Sequence, residues 1–177
     1  MAVLAGWAGN PAMMAPAFAQ NHEQTPRRAS VTGLIRPAGR LVGVDGVQVL
    51  APARWRAGNV RGTSMTVERL PSTALPVPLA PEVRLALPVY AVRVTQDVLA
   101  ADRGRFLVRL PLGKLDPSQV APLILLAVTV DAKHPVMPDR QWVSAPRAKV
   151  KGGFLEFEVT GFLVDEALLF AAEHLAD

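Results

Sequence analysis

Pro122-Leu123-Ile124-Leu125-Leu126-Ala127-Val128-Thr129-Val130-Asp131 is the longest charge-free apolar run of the chain outside its N-terminus. It opens on a proline, closes on a carboxylate and is β-branched toward its end, which is the pattern of a strand buried on both faces. It is too short to cross a bilayer as a helix. A strand apolar on both sides needs cover on both sides, so the shorter segments around it must pair with it or close over it. Read outward from this run, the chain is all-β: a single β-sandwich, immunoglobulin-like in general architecture, of about seven to nine short strands.

Composition agrees with that class. The 177 residues fit one domain able to bury roughly 70% of its unfolded surface. Sixteen prolines and 13 glycines are spread along the length, which breaks helices repeatedly and suits short strands joined by turns. The absence of cysteine excludes a disulfide framework and a thiol nucleophile, and removes the sulfur ligands of most structural zinc sites. The net charge of +4 and pI near 10.1 raise the question of a polyanion partner. Fifteen of the 19 basic residues are Arg, scattered singly or in pairs such as Arg27-Arg28, with no long run and no aromatic interleaving. That distribution argues against nucleic acid.

Residues 1–19 carry no charged side chain and end Ala17-Phe18-Ala19, small residues at the two positions a signal peptidase reads, so this segment is expected to be a signal peptide. A basic n-region is missing and Asn10-Pro11 interrupts the apolar stretch; the signal is then truncated at its start, or the segment is an Ala-rich tail. Residues 20–30 are polar and turn-rich and read as a flexible leader. Residues 31–177 form the sandwich domain. The expected location is exported: periplasmic, cell-surface or extracellular, with no stable membrane span once the signal is removed.

Within the domain, 31–36 and 42–50 read as a hairpin with a bulge or turn at Gly46, followed by a loop carrying Trp55. Met65, Val67 and Arg69 alternate with Thr66 and Glu68 in a further strand. Pro71, Pro76, Pro78 and Pro81 then make a semi-rigid connection fit to cross between sheets. Residues 83–95 and 105–112 are expected to pair, with Pro88 marking an edge or bulge. Residues 154–160 alternate clearly, Leu155, Phe157 and Val159 inward and Glu156 and Glu158 outward, the glutamates forming exposed charge pairs with Lys149 and Lys151. Residues 162–174 suit either a helix face or a buried strand; Gly161 and the all-β context favour the strand.

No chemistry converges along the chain. Gly62-Thr63-Ser64-Met65-Thr66 starts like a nucleophile elbow but has Thr66 where a second glycine belongs, so Ser64 reads as a strand hydroxyl. His22, His134 and His174 have no second histidine at ligand spacing. Asp97, Asp102, Asp131 and Asp139 sit at expected strand ends, where oxygen ligands would suit calcium, but they lack a loop signature and read as turn residues. No catalytic, cofactor-binding or metal residue is therefore assigned, and no cofactor is expected. The least implausible hydrolytic set would be Ser64, His134, Asp131 and Asp139. Trp55, Tyr90 and Trp142 are the possible ligand-contact aromatics, able to stack on sugar rings if they share an exposed face.

Val47-Gln48-Val49-Leu50-Ala51-Pro52-Ala53, Leu87-Pro88-Val89-Tyr90-Ala91-Val92 and Phe106-Leu107-Val108-Arg109-Leu110-Pro111-Leu112 resemble, in order and spacing, the β-sandwich domain shared by ankyrins and netrin receptors, which has relatives in bacterial secreted proteins. Ala53 stands where that family usually has glycine. The resemblance spans about residues 40 to 170. It implies an interaction or spacer domain without catalysis, and carries over no binding residue. The functional expectation is a noncatalytic secreted or envelope-associated module whose partner is a protein or an envelope polymer. The alternative is a carbohydrate-binding or accessory domain of a secreted hydrolase.

Overall fold

A computed structural model describes residues 29–57, 63–101, 103–128 and 139–175. The expected signal peptide lies outside the described residues, as does nearly all of the leader. Fourteen strands are found among the described residues, in the order β1 (Ser30–Ile35), β2 (Arg40–Val42), β3 (Gln48–Leu50), β4 (Trp55–Ala57), β5 (Thr63–Leu70), β6 (Leu85–Val94), β7 (Val98–Ala100), β8 (Phe106–Pro111), β9 (Val120–Val128), β10 (Asp139–Ser144), β11 (Lys149–Lys151), β12 (Phe154–Val159), β13 (Gly161–Phe162) and β14 (Leu168–His174). Eight of them have six residues or more and the other six are two- or three-residue pieces, so the strands outnumber the seven to nine expected. The only helices among the described residues are single 3-10 turns. The protein is an all-β sandwich.

Sheet A has six strands in the order β1-β5-β6-β14-β9-β10, and sheet B five in the order β11-β12-β8-β3-β2; β13-β7-β4 make a small third sheet. Period-2 alternation decides what lies between sheets A and B. In sheet B, Val49, Val108 and Phe157 stand opposite one another across three strands. In sheet A, Tyr90, Phe170 and Ile124 form the equivalent row. The rows meet where the Phe157 and Phe170 rings pack edge to face at 5.6 Å, and all six residues belong to one buried cluster.

The run 122–131 does enter a strand buried on both faces, with Ile124 in the inner cluster and Leu125 in an outer one. It lies next to the sheet edge, however, with only β10 beyond it. The more enclosed strand is β14, between β6 and β9, where Leu169, Phe170, Ala171 and Ala172 are all buried. From Leu168 onward the C-terminal segment is a strand, as expected, while 163–167 form a turn; a run of small and apolar residues in β14 leaves no polar face for a helix to show to water.

Three expected pairings are different in the structure. β1 pairs with β5 in sheet A, so the N-terminal hairpin is instead β2–β3, turning through Asp45 and Gly46 at positive φ. β6 and β8 lie in different sheets, and β8 pairs with β3 and β12. The proline-rich connection 71–84 does not change sheets, because β5 and β6 are antiparallel neighbours. Instead it lies as a strap on the outer face of sheet A. Its Leu75 and Val77 join Trp142 in packing on Leu70, Val89, Ala91, Leu125, Leu169 and Ala171. Trp142 Nε1 donates to the Val77 carbonyl at 3.0 Å and ties strap to sheet. Pro88 sits just past the end of the β5–β6 register, where the β6–β14 register also shifts, so its missing N–H falls at an irregularity.

Glu156 is also different. It points outward as the alternation requires, yet it is 2% exposed. Cross-strand register places Lys149 on one side and Arg109 on the other, with Gln48 beyond. Arg109 Nε lies 2.8 Å from Glu156 Oε1 in an ionic contact without an aligned hydrogen bond, while Lys149 Nζ is 3.8 Å from Oε2. The Arg109 guanidinium lies 4.4 Å above the Phe154 ring and donates to Gln48 Oε1. Long basic stems laid over the carboxylate close it from water. The Lys149 partner was expected; the Arg109 stem and the burial were not.

Candidate binding surface

The three aromatics do not share a face. Tyr90 is enclosed in the inner cluster, Trp55 packs against the same cluster with its ring 5.6 Å from Phe106, and Trp142 covers the outer face of sheet A. The Tyr90 hydroxyl donates to Asp45 Oδ2 at 3.1 Å, and Arg69 reaches the same oxygen at 3.5 Å. Burial first, then the Asp45 charge and hydrogen bond, push the Tyr90 hydroxyl well above the ordinary phenol range, against a smaller opposing effect of Arg69. Tyr90 is thus a neutral tie between the 44–46 turn and sheet A.

Of the hydrolytic set, His134 and Asp131 lie outside the described residues, and Asp139 opens β10. Ser64 is half-buried in β5 opposite Leu34, with its carbonyl accepting from Thr95 N at 3.1 Å. Of the proposed calcium ligands, Asp102 and Asp131 also lie outside the described residues. Asp97 Oδ1 accepts from the Val164 amide at 2.7 Å. Among the described residues, no group of three or more His, Asp or Glu side chains is placed to hold a metal ion.

What the structure does bring together is a set of exposed leucines around one recess. Between β13 and β14 the chain turns through Leu163 and Glu166, which form an isolated bridge. The Asp97 contact pins one end of this turn, and Arg140 NH2 pins the other at 2.9 Å from Glu166 Oε1. Beside it β13 lies against β7 so closely that a Cβ on Gly161 would stand 2.3 Å from the Val98 carbonyl oxygen, so only glycine fits there. This framework holds open a recess of about 210 Å³ lined by Leu99, Leu126, Phe162, Leu163 and Leu168 with Glu166 at its rim. Leu99 and Leu163 are each 44% exposed and Leu126 38%.

A second recess of about 260 Å³ adjoins it through Ala167 and is more polar, with Arg93, Arg140 and Asp165 around Leu70 and Leu169. Each recess is smaller than the roughly 300–1,000 Å³ typical of small-molecule sites, and of a size to take one or two side chains. The first recess mixes leucine side chains with polar groups in about equal measure, as protein surfaces that meet partners do. Leu99 and Leu163 carried no pattern, and Leu126 belongs to the run read as buried on both faces, yet it is exposed. No family model and no curated protein matches the chain.

Proposed function

We propose that this chain is a noncatalytic, exported interaction module that takes a protein partner on the leucine-lined recess beside the 163–167 turn. The observation that carries this reading is the exposure of Leu99, Leu126 and Leu163 around one preformed hollow, held open by the Arg140–Glu166 ion pair, the Asp97–Val164 hydrogen bond and a glycine contact. Large apolar side chains gathered on a surface and rimmed by charge mark contact sites. Three polar groups of the described residues are engaged structurally: Tyr90 with Asp45, Glu156 with Arg109, and Asp97 with a backbone amide. A protein is preferred to an envelope polymer because exposed leucines set among polar groups match the mixed contacts of a protein interface. Export is supported by the uncharged residues 1–19 ending Ala17-Phe18-Ala19. No helix among the described residues is long and apolar enough to cross a membrane.

The test has two arms. Intact mass of the secreted protein should show a chain beginning at Gln20; a cytosolic protein retaining Met1 removes the export half of the reading. Tagged protein incubated with envelope material should retain its partner at high salt, since screening leaves apolar contacts in place. Leu163→Asp should abolish that retention. A partner lost on raising salt and indifferent to Leu163→Asp would point to the arginines instead.

A further inference from the structure

The edges of the three sheets are not alike. β2, β4, β11 and β13 have three residues or fewer, and β10 carries Asp139 and Arg140. Short or charged edges of this kind resist pairing with other chains. β1 is six residues long, SVTGLI, with no charge, proline or bulge. Its pairing phase can be read from one contact: the Arg69 amide donates to the Ala29 carbonyl at 2.8 Å. Hydrogen-bonded and non-bonded pairs alternate along an antiparallel ladder, so Val31, Gly33 and Ile35 turn their backbone groups toward β5. Ser30, Thr32 and Leu34 turn theirs outward. The Thr32 and Thr66 hydroxyls, 2.8 Å apart, fit the closer side-chain approach of a non-bonded pair. Among the described residues no strand lies beyond β1.

We propose that β1 is a self-association edge, on which a second copy of this chain adds its own β1 antiparallel, centred on Thr32. That register sets Thr32 opposite Thr32 and Ser30 opposite Leu34 of the second copy. Every outward N–H and C=O of the three residues then finds a partner, giving about six interchain hydrogen bonds. The strand tolerates its own copy because it is uncharged; β11, with Lys149 and Lys151, would face like charges in any such pairing. Leu34, 56% exposed, and Val31, 37% exposed, gain cover on opposite faces of the joined sheet. The chain's own leader is a poor substitute, since the residues just before β1 include Pro26 and the Arg27-Arg28 pair. The interface is small and therefore reversible. It is separate from the leucine recess and does not depend on it.

The lack of native cysteine allows a clean test on the full chain. In the proposed register Cα atoms at position 32 lie about 5.5 Å apart, within disulfide reach. Thr32→Cys should form a covalent dimer on mild oxidation many times faster than Ser72→Cys, an exposed control on the strap. In sedimentation runs from about 10 µM to about 1 mM, a range that covers weak interfaces, the unsubstituted chain should shift from monomer toward dimer. Leu34→Pro removes an outward N–H while sparing the β1–β5 ladder, and should stay monomeric with its circular dichroism unchanged. Should that variant misfold, amide exchange of the unsubstituted chain decides: protection at Ser30, Thr32 and Leu34 should rise with concentration. Equal oxidation rates at 32 and 72, or unprotected amides at every concentration, would overturn the proposal. So would concentration-independent protection, which would show the chain's own residues covering the edge.

Discussion

On the outer face of sheet B a carboxylate, Glu156, is 2% exposed, while at the corner of β7, β9 and β13 three leucines are each 38% exposed or more. The usual relation between polarity and position is inverted in both regions. The reasons differ. Glu156 is covered by Arg109 and Lys149 from its neighbouring strands, so its charge is answered within the fold. Leu99, Leu126 and Leu163 surround a hollow that the described residues do not fill. A buried polar group and an exposed apolar group are each informative, and the contacts present show which is answered within the fold.

The comparison breaks or sharpens according to what substitutions do to stability and to binding. Phe157→Ala sets the scale: this ring joins the two sheets, and its loss should cost about 3–5 kcal/mol in a denaturant melt. Glu156→Ala comes next. It strands the Arg109 guanidinium, and should cost roughly 2–3 kcal/mol, below the range for fully buried pairs because Arg109 keeps 19% exposure and Lys149 57%. A change within about 0.5 kcal/mol, as for an ordinary surface site, would mean the ladder is ornamental and the contrast false. Trp142→Phe keeps the ring on the outer face of sheet A but removes the bond to the Val77 carbonyl; about 1 kcal/mol is expected by thermal or chemical unfolding. Smallest are Glu158→Ala and Leu163→Ser, each within about 0.5 kcal/mol. Glu158 stands only 4.0 Å from a largely exposed Arg147.

The all-β class and the strands at Met65 and Phe157 were legible because alternation is a local signal that burial on one face imposes, whereas the strand at Phe170 was favoured only by the all-β context. Pairing was not. β1 and β2 are adjacent in sequence yet belong to different sheets, and nothing between Arg36 and Gly39 distinguishes a hairpin from a corner. The strap over sheet A was recognisable as extended from its prolines, but its destination depends on which strands it joins. Glu156 was placed on the correct face and given the wrong exposure, because the residue that covers it, Arg109, is 47 positions away in sequence and meets it only through register. The leucine recess was not legible: Leu126 was read as buried within its apolar run, the walls come from β7, β9, β13 and β14, and the shape rests on the Gly161 contact and the Arg140–Glu166 pair.

The most direct test places a photo-crosslinking residue in the intact protein, in the producing cell, at Leu163 of the recess or at Lys149 beside the ladder. The account predicts a discrete crosslinked partner from position 163, lost when Leu126→Asp is added, and none from position 149. No crosslink from 163, or equal labelling from both positions, would contradict the claim that the exposed leucines are the contact surface and the buried charges are structural.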